Sequence, residues 1–275
     1  LRLSSAASDV YKRQLEAFAC PVSLHGEFTD EVPDFAGRHV KEADKDIISA
    51  LKAKDALYRQ DVIQHSYPYC YRSDTPLIYR AIPSWYVRVT AFKDNLKAAN
   101  EQINWVPEHI KHGRFGNWLD GAIDWAISRN RVWGTPLPVW VNDETGKALC
   151  VGSIDELYDY TGVRVDDLHR EHVDDLTFQV QGEPGTYRRI EEVLDCWFES
   201  GSMPYAQLHF PFENEDVFNA GFPAEFIAEG LDQTRGWFYT LTVLGGALFD
   251  QPAFRNVIVN GMVTVSYTHL RAHET

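Results

Sequence analysis

The densest group of polar side chains in the sequence lies between Glu229 and Gln233, where two carboxylates and an amide stand beside a glycine. Carboxylates can accept the hydroxyls of a ribose or pair with an ammonium group, and a glutamine amide can bridge to a polar group of a substrate. Gly230 would let such a ligand approach the backbone. The residues support a second interpretation equally, in which Asp232 caps a helix and Gly230 is a turn residue.

A β-α-β unit is predicted around this segment. Its strands are the short apolar run Phe226–Ala228 and the largely apolar run Asn256–Val259, as expected for a buried parallel sheet. Between them, four apolar residues recur at helical spacing: Trp237, Leu241, Leu244 and Leu248. Ligands of such sheets bind where strands end and helices begin, because the first helical N–H groups are unpaired. Glu229–Gln233 falls at that position.

A second candidate segment, Leu194–Ser202, reads as an apolar step into a loop of small residues, with Trp197 inside it. A tryptophan in such a loop can belong to the core or line a pocket, and core residues are the commoner case. If Trp197 and Trp237 lie close together, they form an apolar slot for a branched side chain.

A third segment, Asp124–Gly134, contains Arg129 and Arg131 among apolar residues. Residues at i and i+2 of an extended segment face the same side. The two arginines would then hold a phosphate or an RNA backbone, or they would form an internal salt-bridge network. Both alternatives stay open from the sequence.

A fourth segment, His65–Pro76, contains His65 and Cys70, which are too few ligands for a metal site. A structural turn is therefore predicted there, with no metal. The cysteines are widely spaced, which indicates neither a disulfide framework nor a zinc knuckle, and we interpret them as reduced: Cys20, Cys70, Cys150 and Cys196.

Composition narrows the class of protein. Of the 275 residues, 44% are hydrophobic and 24% are charged, which is typical of a folded globular chain. No apolar run approaches the roughly 18 residues needed to cross a bilayer, and no secretory signal is evident, so we expect a cytoplasmic protein without membrane contact. The net charge of −14 predicts that any RNA contact is local, because phosphate binding needs clustered Lys and Arg.

The remaining elements follow from periodicity. Amphipathic or helical patterns predict three helices: Asp44–Leu57, Phe92–Ile103 and Trp118–Ile127. Short runs rich in Tyr, Ile and Val predict strands of a small β-rich unit: Asp61–Ile63, Leu77–Ile82 and Trp85–Thr90. Val139–Asp155 is predicted to be two short strands joined by a turn, followed by a small solvated insertion that extends to the acidic run ending at Asp175.

Together, these segments resemble the large class I aminoacyl-tRNA synthetases for branched aliphatic amino acids, and most closely the isoleucyl-tRNA synthetases of the eukaryotic-like type. The resemblance covers roughly Phe18 to Thr264. It rests on strings found in this order: Ile127–Arg131 with Trp133 and Gly134, Trp197–Gly201, and Glu229–Trp237 with Phe238 and Tyr239.

The resemblance implies activation of isoleucine with ATP and Mg²⁺, followed by transfer to tRNA(Ile). It implies a Rossmann-type domain split by an editing insertion that hydrolyses mischarged valine. It places Trp197 and Trp237 along the isoleucine side chain, with Asp232 and Gln233 also facing the amino acid. It assigns six residues to the adenylate: Glu229, Gly230, Asp232, Gln233, Asn260 and Gly261.

The sequence also departs from the family pattern. The His-Ile-Gly-His and Lys-Met-Ser-Lys-Ser signatures that hold the phosphates are absent, so this chain alone is expected to be inactive. Asn260 stands where the family often has His. Ser73 replaces the second cysteine of a Cys-x-x-Cys zinc motif near Cys70, and no zinc is predicted.

The predicted fold class is α/β, the second half of a class I catalytic domain with the tail of a β-rich editing insertion and a small α+β insertion. The predicted domains are 15–90 for the editing part and 91–264 for the catalytic part, the latter with its insertion near 141–189. Residues 1–14 and 265–275 are predicted to be non-native tails. The parent enzyme is expected to be monomeric or part of a larger synthetase assembly. The alternatives are a valyl-tRNA synthetase fragment and a non-catalytic binding module with a synthetase-like fold.

Overall fold

A computed structural model describes residues 20–80 and 84–261. The predicted tails, 1–14 and 265–275, lie outside the described residues. The chain divides into two compact units, Leu1–Pro83 and Ser84–Thr275. This division falls seven residues before the predicted boundary at 90/91, because Tyr86 and Val87 pair with strand Trp125–Ala126 of the second unit.

The first unit contains one α-helix among its described residues, α1 (Val40–Ala53). His39 caps it: its Nδ1 accepts a hydrogen bond from the Lys41 N–H at 3.3 Å. The predicted helix is thus correct in kind but begins and ends about one turn earlier than expected, because the cap at His39 sets its start. Single antiparallel bridges join Val22 to Phe28 and Tyr69 to Pro76. The second bridge closes the turn predicted around Cys70.

The strands predicted in the first unit are not formed among its described residues. Asp61–Ile63 and the described part of Leu77–Ile82 contain no strand. From residue 57 to residue 67 no backbone–backbone hydrogen bond joins the segment to other described residues. Because sheet strands need paired N–H and C=O groups, β-rich composition alone did not produce a sheet here.

The second unit is organised on a parallel sheet. Strands β2 (Asn104–Val106), β10 (Ala224–Gly230) and β11 (Phe254–Asn260) lie in the order β10-β11-β2 and run parallel. Helix α8 (Trp237–Phe249) connects β10 to β11. The predicted β-α-β unit is therefore present, and the α/β class is confirmed.

The other strands of this unit form small antiparallel sheets. β1 (Tyr86–Val87) pairs with β3 (Trp125–Ala126), and β4 (Ser128–Arg129) pairs with β9 (Val193–Leu194). A four-stranded sheet in the order β6-β5-β8-β7 forms the small α+β insertion: β5 is Val139–Asn142, β6 is Ala148–Cys150, β7 is Thr177–Phe178 and β8 is Tyr187–Arg189.

Seven α-helices of this unit are described: α2 (Lys93–Glu101), α3 (Gly116–Asp120), α4 (Ile154–Thr161), α5 (Arg170–Val173), α6 (Cys196–Ala206), α7 (Glu215–Gly221) and α8. Short 3-10 turns cover Val89–Ala91 and Leu231–Arg235, and a π-helical turn covers Lys111–Phe115. The predicted helix Trp118–Ile127 is wrong beyond Asp120, because the chain then enters β3. No described helix is both long and apolar enough to cross a bilayer.

The main core lies between the parallel sheet and its helices. Trp105 packs its ring 4.7 Å from Phe115 and 6.0 Å from Phe238, measured between centroids. Helix α8 is buried along most of its length, which explains why its apolar residues extend all round rather than along one stripe. The insertion has a separate core around Trp140, Phe178 and Tyr187.

Candidate functional site

The carboxyl ends of β10 and β11 lie side by side. Gly230, the last residue of β10, is opposite Asn260, the last residue of β11. The side chains of Glu229, Asp232 and Asn260 are exposed, and Gly261 is exposed as well. The adenylate residues named from the resemblance therefore gather on one open edge of the parallel sheet.

Gln233 provides the side-chain cap of α8. Its Oε1 accepts a hydrogen bond from the Trp237 backbone N–H at 2.8 Å, and its Nε2 donates to Asp232 Oδ2 at 3.3 Å. Asp232 is therefore not the N-cap of this helix, and that alternative from the sequence is wrong. Asp232 stays exposed, with one of its oxygens 2.7 Å from the position that a Cβ on Gly230 would occupy.

Gly236 is the point at which the two tryptophan segments meet. A Cβ on this buried glycine would lie 2.7 Å from Gln233 Oε1 and 3.1 Å from Cη2 of Trp197. A side chain here would force the Gln233 amide and the Trp197 ring to shift, because the surroundings are closely packed. The indole of Trp197 thus rests against the backbone immediately before Trp237.

The segment around Trp197 is helical, and the prediction of a small-residue loop is wrong. Asp195 caps α6 by accepting the Trp197 N–H, so Trp197 lies in the first turn of a helix. The Trp237 indole N–H donates to the backbone oxygen of Ser200 at 2.9 Å. A Cβ on Gly201 would lie 2.9 Å from Leu244 Cδ1, so α6 and α8 approach closely. Trp197 and Trp237 therefore lie on two helices that pack against each other.

The 3-10 turn Leu231–Arg235, which follows β10, is held in place by residues that the sequence analysis did not select. The hydroxyl of the buried Thr234 donates to the oxygen of Leu231 at 2.7 Å and accepts from Arg114 Nε at 3.0 Å. The Arg235 guanidinium lies 4.8 Å from the Trp118 ring centroid, a cation–π contact. Arg114 is distant in sequence, so no local signal could have identified it.

Arg129 belongs to an internal network. Its Nη2 lies 2.5 Å from Asp195 Oδ2, and its Nη1 donates to the backbone oxygens of Ala126 and Ser128. The salt-bridge alternative is therefore correct for Arg129. Arg131 is exposed, and both arginines line a cavity of about 330 Å³.

Another cavity of the second unit has a volume of about 540 Å³ and is lined mainly by the insertion, with Trp140, Leu168 and Phe212 among its walls. None of the residues predicted to bind isoleucine or the adenylate lines this cavity or the one at Arg129.

Cys196 is the first residue of α6. Burial and the neighbouring Asp195 raise the pKa of its thiol, so little of the reactive thiolate is present at neutral pH. Among residues 20–80 and 84–261, no three His, Cys, Asp or Glu side chains are grouped to hold a metal.

The chain is similar in sequence to several isoleucine–tRNA ligases. The chain is 60% identical over 244 residues to an isoleucine–tRNA ligase of Protochlamydia amoebophila, a match that covers 89% of this chain and 23% of that protein. It is 60% identical over 243 residues to the enzyme of Bdellovibrio bacteriovorus, covering 88% and 23%. It is 57% identical over 250 residues to a cytoplasmic isoleucine–tRNA ligase of Arabidopsis thaliana, covering 90% and 21%. The chain therefore spans about a quarter of the length of these relatives.

The family model described as "tRNA synthetases class I (I, L, M and V)" matches residues 7–267. This match includes both tryptophans, the acidic strand end and the close contact between α6 and α8. The chain belongs to the class I tRNA synthetases of the isoleucine, leucine, methionine and valine group.

Proposed function

We propose that this chain is part of an isoleucine–tRNA ligase, which activates isoleucine with ATP to isoleucyl-adenylate and transfers it to tRNA(Ile). The observation that carries the proposal is the approach of the Trp197 ring to Gly236, the residue before Trp237, next to the carboxyl end of strand β10 in the parallel sheet. Relatives that share this stretch at 55–60% identity are named isoleucine–tRNA ligases.

In this proposal the indoles of Trp197 and Trp237 form apolar walls for the isoleucine side chain. Trp197 is 41% exposed, so its ring has surface left for a ligand. An apolar ligand side chain gains free energy by removing that surface from water. Gln233 donates one amide hydrogen to Asp232, and its second amide hydrogen has no partner among the described residues. That hydrogen can be donated to a polar group of the bound amino acid.

The exposed Glu229 and Asp232 are the acceptors available to the ammonium group and the ribose hydroxyls. Gly230, Asn260 and Gly261 leave the backbone open to the nucleotide. The residues of this edge would hold the isoleucine carboxylate in line with the α-phosphate, which lowers the barrier by positioning. Mg²⁺ accompanying the ATP would supply charge stabilisation at the phosphates. The chain lacks both phosphate-binding signatures, so we expect it to form no adenylate by itself.

An apolar slot separates isoleucine from valine by one methylene. That difference is worth only about 1–3 kcal/mol, a figure that comes from synthetases of this same family. A hydrolytic second step is therefore needed, and we propose that residues 15–90 are the tail of the domain that provides it. We further propose that the parent enzyme is cytoplasmic, and either monomeric or part of a larger synthetase assembly.

The test uses the complete parent enzyme and measures amino-acid-dependent exchange of pyrophosphate into ATP. Trp237→Ala should raise the KM for isoleucine about ten- to a hundred-fold, since it removes one apolar wall worth about 1.5–3 kcal/mol. The KM for ATP should change little. Phe212→Ala, an exposed aromatic on the connection between α6 and α7, is the matched control and should affect neither.

The two alternative functions predict different results in the same exchange assay. Exchange that depends on valine rather than isoleucine would identify a valyl-tRNA synthetase. No exchange with any amino acid would identify a non-catalytic module with the synthetase fold. Equal losses for isoleucine and ATP in Trp237→Ala would contradict the pocket assignment.

A further inference from the structure

Asp195 is a buried carboxylate, 3% exposed, at the start of α6. Its Oδ1 accepts the Trp197 N–H at 3.1 Å. Its Oδ2 accepts from Arg129 Nη2 at 2.5 Å and from Trp125 Nε1 at 3.3 Å. Both oxygens of the carboxylate are therefore engaged, and one of them holds the backbone of a predicted pocket residue.

The partners of Asp195 are fixed in turn. Arg129 ends β4 and lies opposite Val193 of β9, and its Nη1 donates to the oxygens of Ala126 at 3.0 Å and Ser128 at 2.8 Å. The Asp195 backbone N–H donates to the oxygen of Ile127 at 2.7 Å. The Arg129 guanidinium donates to three acceptors, so its side chain has little freedom to move.

Trp197 depends on this support because its own ring is only partly packed. At 41% exposed, it is not held in place by a surrounding core. Its ring nevertheless lies within van der Waals reach of Gly236, the residue before Trp237. The first turn of α6 therefore sets the spacing between the two indoles, and Asp195 sets that first turn.

We propose that Asp195, clamped by Arg129 and Trp125, is a positioning residue that fixes the width of the amino-acid pocket between Trp197 and Trp237. This inference rests on the proposed function. Buried ion pairs add little to stability compared with apolar packing, whereas they can specify one geometry. The network therefore acts on amino-acid selection more than on ATP binding.

The experiment compares Asp195→Asn with wild type in the complete parent enzyme, by pyrophosphate exchange and by equilibrium binding of isoleucine. Asparagine keeps an acceptor for the Trp197 N–H but turns an amide donor toward Arg129 and Trp125. The KM and Kd for isoleucine should rise about ten-fold, and the KM for ATP should stay within about two-fold, because only the pocket wall moves. The preference for isoleucine over valine in kcat/KM should fall by a similar factor.

Asp174→Asn is the matched control. Asp174 is also a carboxylate paired with arginines, accepting from Arg170 Nε at 2.9 Å and from Arg189 Nε at 2.7 Å, but it lies at the end of α5 and its two arginine partners belong to the insertion. It should lower the thermal midpoint without changing the ratio of the two KM values. Trp125→Phe keeps an aromatic ring and removes the N–H donor, so it should raise the isoleucine KM selectively but by a smaller factor. This variant replaces Asp195→Asn in the test if Asp195→Asn does not fold.

Three results would overturn the inference: equal changes in both KM values, an unchanged isoleucine KM, or the same pattern in Asp195→Asn and Asp174→Asn. The proposed function is tested separately by the wild-type enzyme. If wild type activates isoleucine while Asp195→Asn keeps its selectivity, only the positioning role fails. If wild type activates a different amino acid, the proposed function fails, and the selective effect is then measured with that amino acid.

Discussion

The two compact units use aromatic side chains in opposite ways. In the second unit, Phe115, Phe238 and Phe254 are at most 1% exposed and form the centre of the core. In the first unit, Tyr58 is 100% exposed and Tyr79 is 95% exposed. Among residues 20–80, Ala43 is the only apolar side chain that is buried. An independent core is therefore present in one unit and missing from the described part of the other.

This difference indicates that the second unit contributes most of the free energy of folding. Buried apolar area is the main favourable contribution to folding, and the second unit holds nearly all of it. All eight tryptophans of the sequence also lie in that unit, at positions 85, 105, 118, 125, 133, 140, 197 and 237. Tryptophan fluorescence therefore reports on the second unit alone, and the two units can be followed separately.

The largest expected effect comes from emptying the core of the second unit. Phe238 is fully buried, with its ring centroid 5.9 Å from that of Phe254. Phe238→Ala should lower the free energy of unfolding by about 3–5 kcal/mol, because it removes buried area and leaves a cavity. Urea unfolding of the 275-residue chain followed by tryptophan fluorescence measures it. If Phe238→Ala lowered the free energy of unfolding only as much as the loss of an exposed aromatic does, the contrast between the two units would be contradicted.

A smaller effect is expected where α6 meets α8. A Cβ on Gly201 would lie 2.9 Å from Leu244 Cδ1 and 3.1 Å from the backbone carbon of Thr240. Gly201→Ala should be less stable than Gly221→Ala by about 1–3 kcal/mol, because overpacking forces the helices apart. Gly221 ends α7 and has open space around its Cβ position, so it controls for helix propensity. Equal stability of the two variants would show that the helices separate freely.

Alkaline pH should weaken the second unit through a buried tyrosine. Burial raises the pKa of Tyr239 to about 12, from an ordinary value of 10.0. The folded state therefore holds its proton more tightly than the unfolded state. The contribution of this phenol to the free energy of unfolding is complete below pH 10 and is lost as the pH rises through about 12. Tyr239→Phe should reduce the loss of stability between pH 10 and about pH 12, measured by urea unfolding with circular dichroism.

Tyr205 provides the control for this pH effect, because burial raises its pKa to about 12 as well. Some alkaline sensitivity should therefore remain in Tyr239→Phe and decrease further in the double Tyr→Phe variant. An unchanged slope in both variants would show that these phenols do not couple to folding.

The smallest expected effect is in the first unit. Tyr79→Ser should change the stability of the 275-residue chain by less than about 0.5 kcal/mol, because the ring is already in water. Hydrogen exchange of amides in α1 measures this, since the first unit has no tryptophan. Clear loss of protection in α1 would mean that the ring is packed, and the contrast between the units would then fail.

Much of the second unit could be predicted from its sequence. The apolar runs Phe226–Ala228 and Asn256–Val259 and the helical spacing after Trp237 identified β10, α8 and β11. Long-range pairing could not be predicted in the same way. The helix predicted over Trp118–Ile127 stops at Asp120 because Trp125 and Ala126 pair with Tyr86 and Val87, a contact that local periodicity does not contain.

In the candidate site, too, features set by local sequence could be predicted and features set by long-range contacts could not. The acidic strand end and the two tryptophans were selected from residue type and spacing, and their binding roles stay predictions. The structure places the Trp197 ring against Gly236, the residue before Trp237. The helix beginning at Cys196 was missed, although Asp195 directly before it is a strong N-cap residue. The braces from Arg114 and Arg129 could not be found, because their partners lie far away in the sequence.

Gly236, between Arg235 and Trp237, is a position where one substitution would disturb two contacts. An added Cβ would lie 2.7 Å from Gln233 Oε1 and 3.1 Å from Trp197 Cη2, so both side chains would have to shift. Gln233 Oε1 also accepts the Trp237 N–H at 2.8 Å, so its shift would weaken the hydrogen bond at the start of α8. In the proposed pocket, a change at this glycine would therefore alter the helix start and the position of Trp197 together.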